Sequence, residues 1–65
     1  MDREYDIFER FADGSVVWRG FVRGLDEARA TVERLGRQAQ NEFFAMYAPT
    51  RVVVARANAQ KAASA

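Results

Sequence analysis

Tyr5-Asp6-Ile7-Phe8-Glu9-Arg10-Phe11 and Ser15-Val16-Val17-Trp18-Arg19-Gly20-Phe21-Val22-Arg23 flank Asp13-Gly14, and the reading of this stretch decides the fold. Both runs are rich in aromatic and β-branched residues, which suit a pleated, half-buried surface. Asp-Gly between them is a favoured two-residue hairpin turn, because both central positions of a type I′ turn need positive φ. In that register Phe11 faces Val16, Glu9 faces Trp18, Ile7 faces Gly20 and Tyr5 faces Val22, and this side is the expected core. The opposite side carries Asp6, Phe8 and Arg10 from the first strand and Val17, Arg19, Phe21 and Arg23 from the second.

Downstream of the hairpin, Gly24 breaks the strand, Asp26 is the expected N-cap, and Glu27 suits the positive end of a helix. Leu25, Ala28, Val32, Leu35 and Ala39 recur at steps of three and four, which is one apolar stripe of an amphipathic helix. Arg29, Glu33 and Arg37 lie on its other side as successive pairs four residues apart. Gly36 interrupts the pattern, so the helix either stops at Leu35 or continues to about Ala39 at a cost of ~1 kcal/mol, and continuation is the preferred reading.

Glu42-Phe43-Phe44-Ala45-Met46-Tyr47-Ala48 reads as a third strand, Pro49-Thr50 as a turn, and Arg51-Val52-Val53-Val54-Ala55-Arg56 as a fourth. The unbroken valines ask for cover on both faces or for a central place in the sheet. From Ala57 to Ala65 no large apolar side chain occurs, and disorder is expected. The fold class expected is α+β: a two-layer ββαββ domain over 1–56, its antiparallel sheet covered on one face by the helix, followed by an Ala-rich tail over 57–65.

Composition narrows the chemistry. A chain of 65 residues buries only ~60% of the surface that its unfolded form exposes, so extra support from packing or self-association is expected. Neither cysteine nor histidine occurs, which excludes disulfides, cysteine nucleophiles and serine–histidine pairs. The acidic residues lack the spacing of a calcium loop, and no metal or other cofactor is expected. Asp6 and Glu9 point to opposite faces of a regular strand and so form no acid–base dyad. Gly20 and Gly24 precede the helix without a dinucleotide fingerprint or a P-loop lysine; Gly20 reads instead as a close approach opposite Ile7. No enzyme is indicated.

The start Met1-Asp2-Arg3-Glu4 is acidic where a signal peptide is basic, and no apolar run approaches the ~18 residues of a membrane span, so a cytoplasmic protein without membrane contact is expected. Ten basic and nine acidic residues leave a net charge of +1, too little to select a polyanion by bulk field. Gly14-Ser15-Val16-Val17-Trp18-Arg19-Gly20 and Leu25-Asp26-Glu27-Ala28 look like features of short bacterial proteins, a likeness that implies no activity.

The candidate binding residues are Phe8, Arg10, Val17, Arg19, Phe21 and Arg23, all expected on the sheet face that the helix leaves open. An open apolar face usually marks an interface, so a homodimer or another protein partner is the leading expectation. The alternative is a single-stranded nucleic acid, its bases stacked on Phe8 and Phe21 and its phosphates held by the arginines. Both expectations rest on the same side chains.

Overall fold

The computed structural model describes residues 3–58, with β1 (Glu4–Arg10), β2 (Val16–Arg23), α1 (Leu25–Gln38), β3 (Glu42–Tyr47) and β4 (Val52–Ala57) in chain order. The strands form one open antiparallel sheet in the order β2-β1-β3-β4, with the helix packed on one face: a small α+β fold of ββαββ order. β1 and β3 are central, and β2 and β4 are the edges. The central position expected of the valine run is therefore corrected. β4 meets solvent along one side, and the strand tolerates this because a bulge at Val54 turns that residue toward the core while Val52 stays exposed.

The core lies between helix and sheet. Tyr5 and Ile7 of β1, Phe43 and Ala45 of β3, and Ala28 and Val32 of α1 are buried together, with Val22, Leu35, Ala39, Val54, Ala55 and Ala57 packed around them. The helical stripe is as read from the sequence except at its start, where Leu25 is exposed. Helix entry also differs: the N-cap is Gly24 at φ 90°, a conformation that glycine adopts without steric cost, and Asp26 and Glu27 fall in the first turn.

Gly36 stays within the helix, which continues to Gln38. A Cβ at position 36 would lie 2.6 Å from the Cβ of Ala57, so glycine here lets α1 close onto β4. Asn58, at φ 64°, turns back from the end of β4, and its side-chain amide donates to the carbonyls of Gly36, Ala39 and Asn41 at 3.0, 3.0 and 3.1 Å. The first two of these acceptors are carbonyls at the helix end, where intrahelical partners run out, and the third lies just before β3. Of the tail expected over 57–65, Ala57 belongs to β4 and Asn58 donates to the end of the helix, while 59–65 lie outside the described residues.

The first hairpin departs from its expected register in two places that cancel. The turn is a three-residue loop, with Gly14 N–H donating to Phe11 O at 2.9 Å, Phe11 N–H donating to Ser15 O at 2.9 Å, and Gly14 at φ 91°. This extra residue brings Arg10 opposite Val16, Glu9 opposite Val17 and Phe8 opposite Trp18. A bulge at Arg19–Gly20 then restores the expected pairs Ile7–Gly20 and Tyr5–Val22. Between turn and bulge, every β2 side chain is on the face opposite to the one expected. Trp18 leaves the expected core, and Val17 and Arg19 leave the open face.

Candidate functional site

The registers define the open face as a grid of side chains. One row across the sheet is Phe21, Asp6, Met46 and Val53. The next is Trp18, Phe8, Phe44 and Arg56. A third holds Val16, Arg10 and Glu42, and Arg23 pairs with Glu4 at the opposite end. Of the residues expected here, Phe8, Arg10, Phe21 and Arg23 are brought together, whereas Val17 and Arg19 lie on the other side of the sheet. Trp18, Val16, Phe44, Met46, Val53 and Arg56 were not foreseen as part of it.

The centre of this face is already packed. Phe8 and Phe44 stack with centroids 5.3 Å apart and planes 21° from parallel, and the Arg10 guanidinium lies 5.3 Å above the Phe44 ring. Phe44 is consequently only 7% exposed although no helix covers it. Glu42 is buried beside it between two arginines, with Arg10 Nε at 3.2 Å and Arg56 Nη1 at 3.8 Å. Arg10 Nε makes no hydrogen bond, so its contact with Glu42 is a charge pair without the directional component.

Exposed apolar surface is concentrated on β2 instead. Trp18 is 57% and Phe21 54% exposed, with Val16 beside them. The Trp18 indole N–H donates to Asp6 Oδ1 at 3.2 Å, which fixes the ring over β1 and satisfies its one polar atom. The result is a pre-oriented aromatic surface.

The charges around it are compensated. Arg10 and Arg56 meet Glu42, Arg23 Nε lies 3.2 Å from Glu4 Oε2, and Asp6 accepts from Trp18. On the other face Arg19 pairs with Glu9, whose second oxygen accepts from Asn41 Nδ2 at 2.8 Å. Glu9 thus keeps its expected side and lies buried near the end of the central strand β1, where its polarity is satisfied.

Between α1 and β2 lies a cleft of ≈ 290 Å³ lined by Ile7, Gly20, Val22, Thr31, Arg34 and Leu35, among others. Nothing lies within 4 Å of where a Gly20 Cβ would be, so the close approach expected of this glycine is corrected: φ +126° at the bulge is what requires it. Among the described residues no group of three or more acidic side chains is placed to hold a metal ion, and no helix is long and apolar enough to cross a membrane.

No family model, curated protein or solved structure matches this chain.

Proposed function

We propose that this protein acts by binding another polypeptide through the open sheet face, with Trp18 and Phe21 as the anchors and without chemistry of its own. The observation that carries the reading is the Trp18 indole, more than half exposed yet held by Asp6. Rigid aromatic anchors lose little conformational freedom on docking, and such residues dominate interface energetics. With about half of a ~150–250 Å² side chain free on each, Trp18 and Phe21 together offer ~200 Å² of mostly apolar surface. Covering it stabilises a complex by ~5 kcal/mol before the cost of association.

Compensated charge favours this reading over nucleic-acid binding. A polyanion needs guanidinium groups free to meet phosphate, and on this face Arg10, Arg23 and Arg56 each face a carboxylate. Phe44 is covered and has no ring face left for a base.

The test compares polypeptides captured from native cell extract by wild type, by Phe21→Glu on the open face and by Arg29→Glu on the helix surface. Wild type and Arg29→Glu should retain the same binders and Phe21→Glu should lose them; equal capture by all three refutes the reading. Oligonucleotide binding that weakens with added salt would transfer the face to the nucleic-acid alternative.

A further inference from the structure

Resting on that reading of the open face, we infer that its occupant is a second copy of this chain, seated face to face about a two-fold axis that runs along the strands. Three observations lead there.

The first is that edge-to-edge assembly is obstructed. Both free edges carry a bulge, at Arg19–Gly20 on β2 and at Val54 on β4, and each edge bears an arginine. Bulges and charges on edge strands are the usual obstacles to adding another strand. Association therefore takes the face.

The second is charge. Glu4, Asp6 and Glu42 balance Arg10, Arg23 and Arg56 on the open face, so a copy of the same face is neither repelled nor replaced by a strongly charged partner.

The third is the grid itself. A two-fold along the strands keeps each row level and exchanges the strands, so that β2 lies over the partner's β4 and β1 over the partner's β3. Trp18 then meets the partner's Arg56, a cation over an indole. Phe21 meets the partner's Val53, Arg10 the partner's Glu42 and Asp6 the partner's Met46, while Phe8 lies level with the partner's Phe44, whose ring is already covered within its own chain. A two-fold across the strands reverses the rows instead. It sets Asp6 against the partner's Phe8, Val53 against the partner's Arg56 and Val16 against the partner's Arg23, three polar-on-apolar oppositions where the first axis has one, Asp6 on the partner's Met46, although Phe21 then meets the partner's Trp18 and Arg10 the partner's Glu4. The complementarity selects the first axis.

Size sets the strength. Four strands ~4.8 Å apart and about seven residues long at ~3.3 Å each give a footprint of ~450 Å² per copy, ~900 Å² for the pair. That falls below the ~1,200 Å² of a standard interface, in the weak and transient class. A weak, rapidly exchanging dimer is expected, with the two sheets crossing at about −30°.

The chain has no native cysteine, which makes the seating readable by engineered pairs. Phe21→Cys and Val53→Cys proteins are prepared separately, mixed at high concentration and treated with a short bismaleimide, beside each protein alone and a Phe21→Cys with Trp18→Cys mixture. In parallel, wild type is followed by sedimentation equilibrium and by the emission of Trp18, its single tryptophan. The expected result is concentration-dependent dimerisation with a blue shift of Trp18, weakened about tenfold or more by Phe21→Glu, and a cross-linked dimer only from the Phe21→Cys with Val53→Cys mixture. Cross-linking of Phe21→Cys to Trp18→Cys would overturn the axis and leave the face as the interface. A wild type monomeric throughout would overturn the second copy, and the extract experiment would then judge the face separately. Dimerisation without a Trp18 shift or any of these cross-links would overturn both.

Discussion

Gly36→Ala places opposing terms against each other at one position. In a solvated helix the substitution is stabilising, because alanine has the better helix propensity by about 1 kcal/mol. Here the added methyl would come within 2.6 Å of the Ala57 Cβ. That atom is fixed to the β4 backbone and cannot swing aside as the end of a long side chain would. Relief requires α1 and β4 to separate by several tenths of an ångström, and Asn58 resists, since its amide holds the carbonyls of Gly36 and Ala39 from the end of the same strand. Overpacking of this kind costs about 1–3 kcal/mol. Subtracting the propensity gain leaves a net destabilisation of about 1 kcal/mol, a fall in Tm of roughly 4–8 °C for a domain this size. Urea denaturation followed by circular dichroism reads the difference directly. The double variant Gly36→Ala/Ala57→Gly, in which the opposing methyl is removed, should recover most of the loss. A Gly36→Ala protein more stable than wild type by about 1 kcal/mol would refute the reasoning, because helix propensity would then be the only effect at that position.

Asn58→Ala should cost about 2 kcal/mol, because it removes the helix-capping amide and puts alanine at φ 64°. Asn58→Gly keeps that backbone geometry and should cost less; amide exchange in the last turn of α1 will report both, and equal losses would contradict the backbone part of the account. Glu9→Ala leaves Asn41 and Arg19 without their shared carboxylate and should destabilise by about 2 kcal/mol, more than Arg19→Ala, whose guanidinium is half in water; chemical denaturation giving the reverse order would dismiss the Glu9 site as a structural tie. The Ser15 hydroxyl and amide hold the Asp13 carboxyl below its ordinary value near 3.8. A depressed folded-state pKa gives stability that is present above the unfolded value and lost as pH falls through the folded one. The stability difference between wild type and Asp13→Asn should therefore persist at neutral pH and shrink below about pH 3.8; a gap unchanged in acid would exclude this linkage.

Elements with strong local period were legible in the sequence. The alternation in β1, the three-and-four spacing of Ala28, Val32, Leu35 and Ala39, and the punctuation at Gly24 led to the ββαββ order; which face of the sheet the helix covers was not decided by the sequence, because Glu9 shares a side with Tyr5 and Ile7. Position within the sheet was less legible. A loop one residue longer and a one-residue bulge leave the same total offset, so Tyr5–Val22 and Ile7–Gly20 pair as expected while the residues between change face. That exchange moved Trp18 into the candidate interface and Val17 and Arg19 out of it. A signal was there: a glycine inside a strand often marks a bulge, and Gly20 is one. Phe44, Met46 and Arg56 were missed because their membership depends on β1 pairing with β3, a contact between segments distant in sequence and without local trace.

The pairing of β1 with β3 also shapes how the chain folds. β1–β2 and β3–β4 are local hairpins that close within microseconds, yet neither buries enough by itself to persist. Within the sheet they join only along the central seam from Asp6–Met46 to Arg10–Glu42, which spans most of the chain and has the helix within the loop it closes. Loop-closure entropy is met before the seam contributes any burial. Folding speed is accordingly set at Ile7, Phe43 and Ala45, where substitutions should slow refolding, whereas changes at the hairpin tips, Asp13 and Thr50 among them, should chiefly accelerate unfolding.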